Sequence, residues 1–357
     1  MKRNTKWVFT AALALVMLLT ACAQTTTPNN SGSNTNSNTN TGSDSKPEAN
    51  PPADDKTYTL KIGYENNPGE PIDLAANRWK ELAEEKSNGR LVLELYPSSQ
   101  LGTKVDLTEQ MRSGANVITL SDGSFLSDFV PDMGIMMGPY LADDVDSMFK
   151  LYQSDWFQGI DQQLRDQGIH IVTTNWLYGI RHVIANKPAQ TPEEFKGMKL
   201  RAPNADIFIK TVEAMGATAT PMPLGDVYPS LSQGVIDGME NPLTVIYGSK
   251  AYEQAKHIIL TGHIVNITTW IAGQKYMESL PEDLVQILKE TGDEAGNFMT
   301  ETVIASDEET IEKLKAEGVT FHEIDRSVFK KAVEPVYATF TNWTPGLYDT
   351  VQNILKE

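Results

Sequence analysis

Residues 58–121 read YTLKIGYENNPGEPIDLAANRWKELAEEKSNGRLVLELYPSSQLGTKVDLTEQMRSGANVITLS. Apolar and polar residues alternate, as in half-buried β-strands, in three parts of this stretch: Tyr58–Tyr64, Leu91–Tyr96 and Asn116–Ser121. The two segments between them, Pro71–Lys86 and Lys104–Ser113, have the apolar spacing of helices. A chain in which strands alternate with helices predicts an α/β fold with a largely parallel sheet.

A second series of strands and helices begins near Ile169 and predicts a second α/β lobe. Its predicted elements are the strands IHIVTTN (169–175), RHVIANK (181–187), MKLRAP (198–203) and TATP (218–221), and the helices Ala205–Met215 and Val227–Gly234. A long strand over His263–Gly273 is expected to return to the first lobe. Residues Pro281–Glu317 predict a helix about 55 Å long, which is enough to brace both lobes.

These elements predict one folded domain, residues 57–357, made of two lobes. Lobe I is expected to comprise about 57–178 and 267–306, and lobe II about 179–266 and 307–357. Because the chain crosses between the lobes, a cleft is expected where they meet. Clefts of this kind, outside the carboxyl ends of strands, are where small ligands bind.

The N-terminus has the pattern of an export signal. Lys2, Arg3 and Lys6 precede the apolar run Trp7–Leu19, which is too short to span a bilayer but suits a signal peptide. The residues that follow, LTAC (19–22), resemble a bacterial lipobox, in which the chain is cleaved before a cysteine that then carries a lipid. We therefore predict a signal peptide over 1–21 and lipidation of Cys22. An ordinary secretory signal with a chance cysteine is the alternative.

Residues 22–56 are predicted to be a disordered tether. After Cys22 this stretch has no aromatic or large aliphatic residue, so it cannot bury enough apolar surface to offset the loss of chain entropy. A lipid at Cys22 and this tether would hold the folded domain at the extracytoplasmic face of the cell membrane. This arrangement favours a Gram-positive cell, in which an unanchored binding protein would diffuse away.

Composition excludes several classes of function. The formal net charge of −17 argues against nucleic acid as a partner, because phosphate binding needs a basic surface. The single cysteine rules out a disulfide within the chain and a multi-cysteine metal site, and the five histidines show no HExxH spacing. GxSxG and Walker A motifs are also absent from the sequence. We expect a monomer that is not an enzyme and needs neither a cofactor nor a metal.

Two arginines, Arg181 and Arg201, stand in strand-like and mainly apolar surroundings. A buried guanidinium needs a partner, since it keeps its charge, and its planar fork suits a carboxylate. That carboxylate could belong to a ligand or to an Asp or Glu of the chain, and spacing alone leaves both possibilities open. Asn241, at the end of the strand-like segment VIDGMENP (235–242), could bind a ligand oxygen or simply begin a turn.

Three ordered segments together resemble one family. They are EEKSNGRLVLELYPSSQLGT (84–103), GIRHVIANKPAQTPEEFKGMKLRAPNA (179–205) and PMPLGDVYPSLSQGVIDGMENPL (221–243). From about Thr57 to the C-terminus, the chain is similar to the DctP-type solute-binding subunits of TRAP transporters. The resemblance implies a two-lobed, periplasmic-binding-protein-like fold that closes at a hinge and has a long bracing helix.

The resemblance also implies ligand-binding residues. The arginine of the KLRAP segment, Arg201, would pair with the carboxylate of the ligand, Arg181 would add a second contact, and Asn241 a third. Some members have an aromatic residue after Pro-Met-Pro, where this chain has Leu224, so the identity of the ligand does not carry over.

Three further residues complete the predicted site. We expect polar contacts from Asn66, in the loop after the first strand, and from Asp122, after the strand NVITLS, and an apolar wall from Trp176. Polar loops of this kind indicate a ligand that bears hydroxyl groups.

The predicted function is capture of a small organic acid outside the cell. A sugar acid such as a uronate is the favoured ligand, with a C4-dicarboxylate as the alternative. The resemblance implies delivery to an integral membrane permease that is driven by an ion gradient. A ligand-sensing partner of a membrane receptor would use the same site, and an exported enzyme is the remaining alternative.

Overall fold

The computed structural model describes residues 56–356. The predicted signal peptide, the predicted lipidation site Cys22 and nearly all of the predicted tether lie outside these residues. Within residues 56–356, no helix combines the length and the apolar character needed to cross a bilayer.

The strands of the described residues belong to one sheet. They are β1 (Tyr58–Gly63), β2 (Leu91–Tyr96), β3 (Val117–Ser121), β4 (Ile169–Ala185), β5 (Lys199–Ala202), β6 (Thr218–Pro221), β7 (Gly238–Pro242), β8 (His257–Gly273) and β9 (Thr320–His322). Their order across the sheet is β2-β1-β3-β8-β4-β7-β5-β6, and β9 pairs with β8. The strands near each end of this order pair in parallel, whereas β8 pairs antiparallel to both β3 and β4.

Helices occupy the connections between these strands. They are α1 (Pro71–Lys86), α2 (Lys104–Arg112), α3 (Gly123–Leu126), α4 (Val145–Gln153), α5 (Asp155–Asp166), α6 (Asp206–Ala214), α7 (Val227–Ser232), α8 (Leu243–Gly248), α9 (Gln274–Met277), α10 (Glu282–Ala316), α11 (Arg326–Val333) and α12 (Leu347–Lys356). Short 3-10 turns cover Pro131–Met137, Leu224–Asp226, Ala251–Glu253 and Glu334–Thr339. The predicted α/β class is therefore the observed one.

Two long strands run through the middle of the sheet. β4 and β8 have 17 residues each and pair along most of their length, with several register shifts. The sequence predicted two separate strands where β4 is continuous, and it predicted only the second part of β8. Gly179 of β4 has a φ of +129°, and a Cβ there would lie 2.8 Å from Cβ of Pro242. A side chain at this position would meet both backbone strain and a clash.

The longest helix, α10, has 35 residues and is therefore about 52 Å long. It confirms the helix predicted over Pro281–Glu317. Two tryptophans fix it to the rest of the fold, since the indole N–H of Trp79 donates to the Leu288 carbonyl over 3.1 Å and that of Trp176 to the Gly292 carbonyl over 3.0 Å. Gly292 and Gly296 do not interrupt the helix, and their missing side chains let it approach these rings closely.

Candidate functional site

A cavity of about 190 Å³ lies where the carboxyl ends of several strands meet. Glu65 and Asn66 follow β1, Asp122 follows β3, and Pro203 and Asn204 follow β5. The remaining lining residues are Thr103, Lys104, Val105, Leu120, Phe125, Tyr178, Arg181, Arg201, Pro221, Met222, Pro223, Leu224, Asn241, Asn266 and Thr268. The cavity therefore combines cations, carboxylates and amides with a few apolar side chains.

Arg201 lies on β5 and is only 3% exposed. Its Nε donates to the Met222 carbonyl over 3.0 Å. Within residues 56–356, its guanidinium makes no other hydrogen bond to the protein and no ion pair within 4.0 Å. Burial lowers the pKa of this guanidinium, although an arginine keeps its charge in proteins. The Nη1 and Nη2 groups thus form a buried fork without a direct ion pair, although the charges of Glu240 and Glu65 act on it from further away, and such a fork is a site for an anion.

Arg181, on β4, differs from Arg201 because the protein already neutralises it. Its Nε donates to Oε2 of Glu240 over 2.6 Å, and its Nη2 donates to Oε1 of Glu240 over 2.7 Å. Nη1 donates to Oδ1 of Asn266 over 2.8 Å. Burial lowers the pKa of Arg181, but Glu240 outweighs it and the pKa is raised above its ordinary value. The structural salt bridge that the sequence left open therefore exists for Arg181.

Glu240 is fully buried beneath the cavity. Besides Arg181, it contacts His263, whose Nε2 lies 3.3 Å from Oε2 of Glu240 and whose Nδ1 lies 2.8 Å from the Thr261 hydroxyl. Burial raises the pKa of Glu240, but the charge and hydrogen bonds of Arg181, assisted by His263, outweigh it and bring the pKa to about 2. Glu240 is thus an ionised carboxylate that holds Arg181 in one orientation.

A second cation and carboxylate lie on the side of the cavity formed by α2 and α3. Lys104 Nζ lies 3.8 Å from Oδ2 of Asp122 and 4.2 Å from the centre of the Phe125 ring. Asp122 also accepts from the backbone N–H of Ser124 over 2.9 Å and from the Ser124 hydroxyl. This pair is close to electrically balanced, which leaves Arg201 and Glu65 as the other charged groups of the lining that make no ion pair within 4.0 Å among residues 56–356.

Two amide side chains of the lining have buried oxygen atoms without partners. Asn66 donates through Nδ2 to the Tyr178 hydroxyl over 2.9 Å, but its Oδ1 accepts no hydrogen bond from residues 56–356. The same holds for Oδ1 of Asn241. Buried acceptors without donors are costly.

The predicted wall residue Trp176 does not line the cavity. It is fully buried, where its ring packs 5.7 Å from that of Trp79 and 5.3 Å from that of Trp270, centre to centre. The cause is the register shift of β4 between Leu177 and Gly179, since a bulge re-aims the side chains beside it. Tyr178 lines the cavity in its place.

Of the six predicted ligand contacts, the structure brings five together in the cavity lining: Arg201, Arg181, Asn241, Asn66 and Asp122. Glu65, in the loop predicted to supply polar groups, also lines the cavity. Sequence reasoning missed Lys104 and Asn266, and it missed Glu240 as the partner of Arg181. Glu240 immediately precedes Asn241 in the motif GMENP, so the need of a buried arginine for a carboxylate could have suggested it. Asn266 and Lys104 lie in segments whose sequence gives no such signal.

Comparison with known proteins places this fold and site in a family. The family model described as bacterial extracellular solute-binding protein, family 7 (DctP), matches residues 62–342. The chain belongs to this DctP family. Its members are solute-binding proteins of TRAP transporters that act outside the cytoplasm, so the predicted class of function is confirmed and the protein is a binding protein, not an enzyme.

Individual relatives agree with this assignment. The chain is 32% identical over 282 residues to the sialic acid-binding periplasmic protein SiaP of Vibrio cholerae, which covers 79% of this chain and 88% of that protein. A TRAP solute-binding protein from Ochrobacterium anthropi, solved with bound L-fuconate, is 48% identical with a TM-score of 0.83, covering 84% of this chain and 99% of that one. One from Actinobacillus succinogenes, solved with bound L-galactonate, is 39% identical with a TM-score of 0.82 and the same coverage.

Proposed function

We propose that this DctP-family protein binds a sugar acid of the aldonate type and delivers it to a membrane permease. The observation that carries the proposal is the buried guanidinium of Arg201, which lines the cavity and makes no ion pair within 4.0 Å among residues 56–356. A buried cation without a direct ion pair suits one carboxylate. Arg181, which Glu240 already neutralises, would contribute an oriented N–H group and little net charge.

The rest of the lining favours hydroxyl groups over a second carboxylate. Glu65 and Asp122, which line the cavity, are hydrogen-bond acceptors when ionised. A polyhydroxy chain supplies donors to both. The second carboxylate of a C4-dicarboxylate would instead meet like charge, with only Lys104, already close to Asp122, to offset it.

The bound ligands of two relatives support an open-chain sugar acid. L-Fuconate and L-galactonate occupy the two TRAP binding proteins that are 48% and 39% identical to this chain. Both ligands carry one carboxylate and several hydroxyl groups, which matches the guanidinium of Arg201 and the acceptors Glu65 and Asp122 of the lining. A uronate has the same groups in a ring, and D-galacturonate therefore serves as the cyclic comparison ligand in the thermal-shift screen.

We further propose that the cavity opens and closes as two lobes move. The lobes are those expected from the sequence, about 57–178 with 267–306 and about 179–266 with 307–357. In support, Glu65 and Asp122 of the cavity fall in the first set, and Arg201 and Asn241 in the second. A ligand that contacts both sets stabilises the closed form, which is a shift between two populated states.

Membrane attachment and the partner complete the proposal. Lipidation of Cys22 would keep the protein at the extracytoplasmic face of the membrane, near an integral membrane TRAP permease that accepts the ligand. Metabolic labelling with a radioactive fatty acid tests the anchor, since wild type should be labelled and Cys22→Ser should not. A neighbouring permease gene would support transport, and a neighbouring receptor-kinase gene would support sensing.

A thermal-shift screen of residues 23–357 tests the ligand class. The compounds are L-fuconate, L-galactonate, D-galacturonate, succinate and the neutral sugar L-fucose. A ligand that binds only the folded protein stabilises it by about 2.7 kcal/mol at one hundred times its dissociation constant. The aldonates should raise the melting temperature most and L-fucose should not raise it. A larger shift with succinate than with any sugar acid would overturn the aldonate proposal.

A further inference from the structure

Glu70 is a buried carboxyl group directly behind the cavity lining. It precedes α1 and is 5% exposed. Its Oε1 accepts from the backbone N–H of Asn67 over 3.0 Å, and its Oε2 lies 2.6 Å from Nδ2 of Asn66. Within residues 56–356, no Lys, Arg or His lies within 4.0 Å of it. An isolated buried carboxylate is costly, and such groups tend to bind a proton instead.

The groups that face Glu70 add no positive charge. From α1 it faces Asp73, and from β4 it faces the uncharged hydroxyl of Tyr178. From α8 it faces Gly248, where a Cβ would lie 2.4 Å from Oε1 of Glu70. Burial raises the pKa of Glu70 to about 7, with a smaller contribution from Asp73, against the opposing hydrogen bonds of Asn66 and Asn67.

The hydrogen bonds of Asn66 fit a protonated Glu70. The amide oxygen of Asn66 has no partner, while Nδ2 lies close to both Glu70 and Tyr178. Amide O and N are assigned from their hydrogen-bond network. If the amide is turned over, its oxygen accepts from the Glu70 carboxyl O–H and from the Tyr178 O–H. The 2.6 Å separation from Glu70 is also more usual for O–H···O than for N–H···O bonds.

We propose that Glu70 is a positioning residue that binds a proton when the protein closes on its ligand, and that this proton fixes the orientation of the Asn66 amide. With Glu70 ionised, Nδ2 of Asn66 donates to the carboxylate. With Glu70 protonated, the amide oxygen of Asn66 accepts from the carboxyl O–H. The inference rests on the proposed closure of the two lobes, because α8 and α1 belong to different ones and Gly248 covers Glu70 only when they meet.

The direction of the pH effect follows from the two states. In the proposed open form Glu70 would meet water and keep its ordinary pKa near 4.5, whereas in the structure, where Gly248 covers it, its pKa is about 7. Closure therefore takes up a proton between these two values. Ligand affinity should be highest at low pH and fall as pH rises through this window, by up to about tenfold per pH unit.

Isothermal titration calorimetry of residues 23–357 with L-galactonate tests the proposal. Titrations in two buffers with different ionisation heats count the protons bound. For wild type near neutral pH we expect net proton uptake, and a dissociation constant at least about tenfold larger at pH about 8 than at pH about 5.5. Glu70→Gln resembles the protonated acid. It should take up no proton, show no such pH dependence, and bind more tightly than wild type at pH about 8.

The matched control is Glu81→Gln, which removes one charge from α1, the helix that follows Glu70, at a side chain that is 70% exposed. It should keep the wild-type proton uptake and pH profile. The proposal is overturned if wild type takes up no proton, or if Glu70→Gln retains the wild-type profile. If L-galactonate gives no heat and succinate gives the larger thermal shift, the aldonate proposal fails. The same titrations are then run with the acid that shifts the melting temperature most, so the two failures are distinguished.

Discussion

The carboxylate of Glu240 holds the guanidinium of Arg181 at two points, over 2.6 Å to Nε and 2.7 Å to Nη2. This pair neutralises one of the two buried arginines of the cavity before any ligand enters. Arg201, on the neighbouring part of the lining, has only the Met222 carbonyl as a partner within residues 56–356. The two arginines, which look alike in the sequence, therefore differ in the net charge that they offer to a ligand.

Arg201→Ala should abolish binding of carboxylate ligands. Removing one partner of a buried, hydrogen-bonded charge pair costs about 2–5 kcal/mol, which corresponds to about a thirtyfold to several-thousandfold weaker affinity. Calorimetric titration with the best acid of the screen measures it. Lys199→Ala, on the exposed part of the same strand, is the control and should bind as wild type does. Unchanged affinity in Arg201→Ala would sink the carboxylate assignment.

Glu240→Gln should destabilise the fold itself, because it leaves the charge of Arg181 buried without a counter-charge. The expected loss at neutral pH is about 3–5 kcal/mol in the free energy of unfolding, measured by urea denaturation. The exposed Glu213→Gln serves as the control. A loss no greater than that of the control would show that the pair contributes little.

The same pair predicts an acid-sensitive stability. The pKa of Glu240 is about 2 in the folded protein against 4.5 ordinarily, so its contribution is complete above pH about 4.5 and is lost as pH falls towards about 2. Urea denaturation at a series of pH values should show this loss in wild type. In Glu240→Gln this part of the slope should be absent, and an identical slope in both proteins would contradict the assignment.

Glu65→Gln should change the preference between ligand classes. A carboxylate that accepts from a ligand hydroxyl contributes about 1.5–3 kcal/mol, so aldonate affinity should fall by about tenfold or more. Succinate should gain affinity, since one negative charge leaves the cavity. Both dissociation constants are measured by calorimetry, with the exposed Glu85→Gln as the control. Equal weakening for both ligands would mean that Glu65 acts only on the structure.

Gly296→Ala should destabilise the protein although it lies in the middle of a helix. A Cβ there would lie 2.3 Å from Oδ1 of Asn175 and 2.7 Å from Cδ1 of Trp176. Overpacking costs about 1–3 kcal/mol, which exceeds the gain of about 1 kcal/mol for alanine over glycine in a helix. Thermal unfolding should show a net loss. Gly159→Ala in α5, where a Cβ meets nothing within 4 Å, should instead stabilise the protein by about 0.5–1 kcal/mol.

Local patterns predicted individual elements well where the pattern was regular. Pro71–Lys86 and Leu91–Tyr96 have the same bounds in the sequence prediction and in the structure. The prediction failed in β4, because the register shifts that let one strand run from Ile169 to Ala185 break the alternation that identifies strands. The partner of a strand is also invisible to local patterns, so the central antiparallel pair of β4 and β8 was not predicted.

Site residues could be predicted where a family motif contains them. They could not be predicted where side-chain packing determines which residues line the cavity. Arg201 and Asn241 lie in segments that resemble the family, and both line the cavity. The prediction that Trp176 forms an apolar wall was wrong, because a bulge in β4 changes which side chains face the cavity. The difference between Arg181 and Arg201 depends on Glu240, 59 residues away along the chain from Arg181, which no local pattern could reveal.

The guanidinium of Arg201, which makes no ion pair within 4.0 Å among residues 56–356, has a consequence for the proposed delivery to a permease. Closing an empty cavity would remove this guanidinium from water without a ligand carboxylate to pair with it, which is unfavourable. An unloaded protein therefore spends little time in the shape that a loaded one adopts. A permease that recognises only that shape would rarely bind the empty protein. Few ions would then cross the membrane without a ligand.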